Sequence, residues 1–439
     1  YTAKYINENL FNFSNIDVMK ERIVNYYESA GYPFAAVYLD SVQVLNNSFR
    51  AALKVDKGIL YHIDSIRIFG KANIKNRFLQ RYLNISNGSI YNKEQLKLVS
   101  KRLLELPYIQ EQQPADLLMT GTGGVLNLYL QNKRNSQVNF LIGFLPANNE
   151  TKKLQITGDV NLNLKNALGN GETILLNWQQ LQVKSPRLNL GYQQPYIFKS
   201  AFGIDFSFNL FKKDSSFLQI NTQLGVQYLL SANQSGKVFI QNQNTFLLSG
   251  GIDTALVRST KKLPPNIDVS GFNIGVEYEW NNTNYKNNPR SGNEIKLITA
   301  VGSKKISKSN DITSMFGPGF SYASLYDSIK LKTYQLRIKL QAAHYFPTGK
   351  AGALKIGLNS AVFASQNIFR NELFQIGGYK LLRGFDEESI YATQYLVTTA
   401  EYRYLVGINS FLFGFADAGW VKNKYQQVNS NNQFTSVGL

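Results

Sequence analysis

Cysteine is absent from the 439 residues, which removes disulfides, thiolate nucleophiles and sulfur metal ligands at once. Methionine (3), tryptophan (3) and histidine (2) are nearly as scarce. His62 falls in a strand-like run and His344 between Ala343 and Tyr345, and neither has a serine, carboxylate or second ligand nearby that would make it catalytic or metal-binding. No G-x-S-x-G elbow, phosphate-binding loop, dinucleotide fingerprint or metal-ligand spacing occurs. The expectation is a protein that is not an enzyme, with no catalytic residue, no metal and no cofactor. Nor does any window approach the ~18 apolar residues of a membrane helix, so a bilayer crossing has to be made by strands closed into a barrel. The chain opens at Tyr1 without a basic n-region or an apolar h-region, and any signal peptide is expected to have been removed.

What the chain does have is aromatics: 26 Tyr and 28 Phe stand where a soluble helical protein would place Leu and Met, a bias that favours strands. A mean hydropathy of -0.23 agrees with membrane strands, whose alternating faces average to a soluble-looking value. The formal charge of +18 would suit nucleic acid, but Lys and Arg are scattered through alternating segments and short loops, with no basic helix and no dense run. The charge reads as lumen, loop and anionic-lipid-facing surface, and no nucleic-acid partner is expected.

Helical periodicity is confined to residues 14–133. Ile16, Met19, Ile23, Val24 and Tyr27 define an amphipathic helix with Ser14 as N-cap and Gly31 and Pro33 as its stop. Two strand-like runs, Ala35 to Val44 and Phe49 to Val55, follow across an Asn46-Asn47 turn, giving a partial module over residues 1–58. Residues 59–133 repeat the theme: a strand from Tyr61 to Phe69, a short helix from Ile74 to Leu83, and a longer helix with Leu96, Val99, Leu103 and Leu104 on one face. The strands Tyr108 to Leu118 and Val125 to Leu130 close it, split by a flexible Gly121-Thr122-Gly123-Gly124 linker.

Over residues 134–439 period-two alternation takes over. Tyr334, Leu336, Ile338, Leu340 and Ala342 alternate with Thr333, Gln335, Arg337, Lys339 and Gln341, and the runs from Phe202 to Leu210 and Leu218 to Tyr228 behave likewise. Several runs reach the ~9 to 11 residues of a tilted membrane strand, beyond the ~5 to 6 of soluble ones. Tight joints at Phe346–Lys350 and Leu168–Gly171 contrast with long ones at Ile306–Asp327 and Asn367–Tyr391. Short turns on one side and long loops on the other describe an outer-membrane barrel. About thirteen strands can be drawn, the last breaking off at Phe434–Leu439, so the barrel is expected to need further C-terminal strands or a partner chain. The fold class is thus α+β modules ahead of an all-β antiparallel transmembrane barrel.

The strongest local signal is Phe374-Gln375-Ile376-Gly377-Gly378-Tyr379-Lys380-Leu381-Leu382-Arg383-Gly384-Phe385, in a long loop after roughly the eleventh strand. Here the chain resembles the BamA/TamA superfamily of outer-membrane insertases and translocases, which sets periplasmic POTRA modules before a barrel of about sixteen strands. Members carry an IGG element and a (V/L)RG(F/Y) element in a large extracellular loop that folds back into the barrel. The counterparts here are Ile376, Gly377 and Gly378, then Leu382, Arg383, Gly384 and Phe385. The resemblance implies that Arg383 is held by acidic residues on the two following strands, which map onto Glu401 and Asp417. Residue types allow this, since a guanidinium fork makes bidentate charge-assisted bonds to carboxylates and glycine permits positive φ. Glu401 shares parity with Thr399 and Arg403 as a lumenal residue should, whereas Phe413 and Phe415 share the face of Asp417. Pro289 and Gly292 resemble the family's mid-barrel Pro-x-x-Gly turn, and Asn166, Gly169 and Gly171 its early Asn-x-x-Gly-x-Gly hairpin. Residues Ile63 to Leu130 resemble a POTRA module throughout, and the unit before it the later part of another.

The resemblance implies an outer-membrane address in a Gram-negative-type cell with the modules in the periplasm. It also implies outer-membrane lipid or lipopolysaccharide as surroundings, and unfolded barrel or exported polypeptides as clients, with accessory lipoproteins or periplasmic subunits as partners. Three functions follow from it or compete with it: insertion of barrel clients at a weak seam after capture by module edges, polypeptide translocation of the TamA or two-partner secretion type, and a passive porin, which would need neither modules nor the Arg383 loop.

Overall fold

The computed structural model describes residues 13–45, 48–121, 123–133, 135–145, 155–180, 185–197, 200–231, 233–248, 250–284, 288–379, 381–386, 388–407 and 410–439. It divides into two compact units, Tyr1–Ser136 with Lys165–Gly171, and Gln137–Leu164 with Glu172–Leu439.

The first unit begins with helix α1 (Phe13–Ser29) and a hairpin of β1 (Ala36–Leu45) and β2 (Ser48–Asp56). Ser14 stands inside the first turn of α1, not before it, and the Asn46-Asn47 turn lies outside the described residues, as do residues 1–12. The remainder is β3 (His62–Phe69), α2 (Asn76–Leu83), β4 (Ser89–Ile90), α3 (Lys93–Lys97), α4 (Val99–Glu105), β5 (Ile109–Thr120) and β6 (Gly123–Asn132). These strands form a sheet of order β4-β3-β6-β5 in which β3 and β6 run parallel. A parallel pair needs a crossover, and the helical stretch from α2 to α4 supplies it; Phe78, Leu79, Leu83, Val99 and Leu103 of the helices and Ile63, Ile66, Leu126 and Leu128 of the sheet are all buried.

Two expectations change here. The single helix through Leu96 and Leu104 breaks at Leu98 into α3 and α4, and Leu104, one step round from the buried Leu103, is 74% exposed. The glycine linker is also shorter than its composition suggested. Gly123 and Gly124 are the first residues of β6, paired with His62 and Ile63, and a Cβ on Gly123 would lie 1.9 Å from the Asp64 carboxylate. Those glycines serve close strand approach, which composition cannot distinguish from flexibility.

The second unit is one antiparallel sheet of 14 strands. Its first eleven are β7 (Gln137–Leu145), β8 (Gln155–Lys165), β9 (Thr173–Gln180), β10 (Arg187–Gln194), β11 (Phe202–Lys213), β12 (Phe217–Ser231), β13 (Gln234–Leu247), β14 (Val269–Asn281), β15 (Gly292–Ile306), β16 (Lys332–Thr348) and β17 (Gly352–Ser365). A separate ribbon of β18 (Phe374–Ile376) and β19 (Ile390–Ala392) sits in the next connection. The sheet resumes with β20 (Gln394–Gly407), β21 (Ser410–Tyr425) and β22 (Val428–Gly438). Among the described residues β7 pairs only with β8 and β22 only with β21, so no pairing closes the sheet.

Alternation decides the faces. Val226, Val238, Ile240, Ile274, Val276 and Val301 are exposed on one side. Their neighbours on the other form a charge network in which Lys237 lies 3.0 Å from both Asp205 and Glu277, and Lys296 lies 2.9 Å from Glu277. An exposed apolar face opposite a paired polar one is the pattern of a membrane barrel wall. The last strand is longer than Phe434–Leu439: the polar Asn-Ser-Asn-Asn-Gln run reads as loop in isolation, but pairing with β21 extends it back to Val428. Helix also occurs after residue 133, in α5 (Thr254–Thr260) and α6 (Asn310–Thr313), which are too short to leave a periodic signal.

Gly70, at φ +99°, ends β3 where a Cβ would lie 2.3 Å from the Leu130 carbonyl oxygen. Gly70→Ala should cost about 1–3 kcal/mol. Limited proteolysis should show faster cleavage of the first unit, with the heat-modifiable gel shift of the sheet unchanged.

Candidate functional site

The connection between β17 and β20 turns back onto the polar face, and its anchor is Arg383. The Arg383 guanidinium donates through Nη2 to Asp417 Oδ1 at 2.8 Å and through Nε to Asp417 Oδ2 at 3.0 Å, while its backbone N–H donates to the same Oδ2 at 3.0 Å. Nη1 is hydrogen-bonded to Glu401, whose other oxygen accepts from Arg403 Nε at 2.6 Å. Thr399 Oγ1 donates to Asp417 at 2.8 Å, so each carboxylate is satisfied more than once. The side chains of Glu401 and Asp417 are 6% and 1% exposed and that of Arg383 13%, so this pairing is enclosed. Bidentate geometry at low exposure makes it much stronger than a surface ion pair.

Phe413 and Phe415 explain their own parity. The Arg383 guanidinium lies 3.7 Å from the centroid of Phe415, and that of Arg403 lies 4.7 Å from Phe411. The inward rungs of β21 therefore build an aromatic floor beneath two cations, with the carboxylates at their edges.

The backbone around Arg383 is strained to fit. Gly377 (φ +105°) passes so close to Asp386 that a Cβ would lie 2.7 Å from its carbonyl oxygen, and Gly384 (φ +89°) runs beside Ser436 of β22. Leu382 adopts φ +56° although it is not glycine, and its side chain is fully buried against Gly419. It packs with Ile376, Phe363, Val397 and Val421, while Phe385 meets Phe434 edge-on at 5.3 Å. Burial of an apolar side chain offsets a left-handed conformation that costs of order 1–3 kcal/mol.

Elsewhere the turn motifs do local work. Asn166 (φ +55°) accepts from Gly171 N at 2.8 Å and donates to the Asn73 carbonyl at 2.7 Å, and Gly169 O accepts from Lys75 N at 2.8 Å, all within the first unit. Gly171 lets the Phe78 ring approach to 2.2 Å of where its Cβ would stand. Pro289 is buried, and Gly292 (φ +104°) opens β15.

Sequence reasoning missed three groups that hold the same loop. Lys304 of β15 is 1% exposed, with Nζ 2.7 Å from Glu372 and 3.0 Å from the Asn367 carbonyl. Asn371 clasps Ile267, accepting from its N–H at 3.2 Å and donating to its carbonyl at 2.8 Å. Glu388, at φ +54°, reaches Arg187 of β10 with both oxygens, at 2.8 and 2.9 Å. Each is one residue among many of its kind, with partners 63 to 201 positions away, so no local pattern marks them.

Removing the anchor leaves two enclosed carboxylates short of a cation. Arg383→Ala should cost about 3–5 kcal/mol, seen as a lower temperature for loss of the heat-modifiable gel shift, with Arg383→Lys intermediate because it cannot fork. Glu388→Ala releases a half-exposed pair worth at most about 1 kcal/mol, so it should speed proteolysis of the loop tip while leaving that temperature unchanged.

No curated protein matches the chain. Among solved structures, it is similar to CdiB from Acinetobacter baumannii at 15% identity and TM-score 0.56, over 98% of this chain and 75% of that one. It is similar to CdiB from Escherichia coli at 12% identity and TM-score 0.56, over 97% and 77%. BamA from Haemophilus ducreyi lacking POTRA domains 1-3 aligns at 16% identity and TM-score 0.51, over 94% and 82%. At such identities these likenesses establish fold. The sequence profile of the Omp85 superfamily domain matches residues 166–439, more than half of the chain, and the chain accordingly belongs to the Omp85 superfamily.

Proposed function

We propose that the protein is an outer-membrane assembly factor of the BamA/TamA type, which captures unfolded barrel clients through POTRA-type modules at residues 1–58 and 59–133 and inserts them at the edge of its own barrel, residues 134–439. The carrying observation is the outer edge of β5. This strand of twelve residues pairs only with β6 among the described residues, and Pro114 with two register shifts interrupts its first half. Pro114 blocks pairing locally, leaving Asp116 to Thr120 as a short edge to which an extended client adds by β-augmentation. Work of this kind draws on folding and binding energy, so the protein is not an enzyme and needs neither cofactor nor metal. Family membership supports an outer-membrane location, and we place the modules in the periplasm, with accessory lipoproteins or periplasmic subunits as partners and lipopolysaccharide-bearing lipid around the barrel.

Translocation is the second reading, favoured by the loop itself. A segment tied to β20 and β21 through Arg383 and to β10 through Glu388 crosses the polar face as a plug would, and its displacement opens a path for a chain.

Depleting the protein and quantifying the outer-membrane proteome separates the two. Insertion predicts broad loss of barrel proteins, translocation predicts loss of one exported substrate with barrels intact, and unchanged levels of both overturn the two readings together.

A further inference from the structure

Register places amides in rows. Asn177, Asn189, Asn209, Asn221 and Gln243 stand directly opposite one another on five consecutive strands, β9 to β13. A second row, Gln223, Gln241 and Asn273, follows on β12 to β14. Opposed residues of an antiparallel pair project to one side, so both rows lie on the polar face. Most of these amides line a cavity of about 550 Å³ whose other wall is the inserted loop, with Phe374, Gln375 and Glu388.

We propose that this cavity binds a short saccharide carrying an acidic group. An amide offers two N–H donors and a carbonyl acceptor, which matches hydroxyls that must both give and receive hydrogen bonds. Some of that capacity is spent internally, as in the bonds from Asn189 to Asn177 at 3.1 Å and from Asn273 to Gln241 at 3.2 Å. Asn221 Oδ1 and Gln375 Oε1, on opposite walls, have no hydrogen-bond partner among the described residues. Phe374 and Tyr395 add aromatic surface for the apolar face of a sugar ring.

Charge selects the acidic class. Arg187 is neutralised by Glu388, and Arg337 donates to the Glu372 carbonyl at 3.0 Å while stacking on Phe363. Lys339 makes no ion pair among the described residues, and its ammonium stands 5.3 Å from the centroid of Phe374. Arg337 likewise has no ion pair among the described residues, its one bond being to a neutral carbonyl, so one carboxylate or phosphate meets two unspent cations. An extended peptide would want recesses for alternate side chains, which a flat row of amides does not provide. The volume suits roughly two or three sugar rings. The inference holds for an insertase and a translocase alike.

Calorimetric titration of the whole detergent-solubilised protein tests it, with trigalacturonate as acidic probe, maltotriose as neutral probe and an unstructured acidic peptide as control. We expect trigalacturonate to bind with a Kd of about 10–1000 µM and at least about tenfold more tightly than maltotriose or the peptide. Lys339→Gln should cut the preference over maltotriose by about threefold or more, with Arg337 still in place, and the isosteric Gln241→Glu should weaken trigalacturonate about tenfold or more, with the heat-modifiable gel shift reporting that each variant is folded. Failure of both saccharides to bind at millimolar concentration, equal binding of the two, or tighter binding of the peptide each overturns the proposal.

Discussion

A guanidinium cannot shed its charge, so an arginine enclosed by protein has to be surrounded by acceptors. Most of the architecture around Arg383 answers that demand. Thr399 is registered opposite Asp417 and Glu401 opposite Phe415, which brings both carboxylates and the aromatic floor to one level of the sheet. The positive-φ run through Gly377, Leu382 and Gly384 then delivers the loop to that level. If the β20–β21 register slipped by one residue, the carboxylate of one strand would turn to the face opposite that of the other, so the ion pair and the strand pairing specify each other.

The loop is held at its base by a different principle. Three connections, between β13 and β14, β15 and β16, and β17 and β20, share a core of Val257, Ile267, Ile312, Tyr322, Tyr326 and Phe369. Lys304 of β15 and Glu372 of the β17–β20 connection form an ion pair with almost no solvent, a weak source of stability but a strong constraint on position, since either charge alone would be costly to bury. Arg383 and Glu388 fix the tip, and Lys304 and Asn371 fix the root. A loop tied at both ends can swing as a unit only by breaking several buried polar contacts together.

Legibility in the sequence followed locality. Period-two alternation marked β11, β12 and β16, and 3.6-residue periodicity marked α1, because each pattern is complete within one element. Glu401 and Asp417 could be named beside Arg383 only through the family resemblance, since nothing in their spacing joins them. The aromatic floor was the instructive misfit. Phe413 and Phe415 looked wrong for a polar face because alternation treats every aromatic as lipid-facing, whereas a ring beneath a guanidinium belongs inside. Pairs such as Arg187 with Glu388 left no trace, for they depend on where strands far apart in the chain come to lie.

The amide rows extend that point from pairs to surfaces. In sequence, Asn177, Asn189, Asn209, Asn221 and Gln243 are polar rungs like any others, and each satisfies alternation alone. Only the register of β9 to β13 lines them up. A polar face needs polar residues merely to hold water, and serine, threonine or paired charges would serve, as Lys237 and Glu277 do a few rungs away. Concentrating groups that donate and accept together, without net charge, is a narrower choice than solvation requires. It leaves the electrostatics of the cavity to the few cations at its margin, so chemistry and charge are supplied by different residues and are separable by substitution.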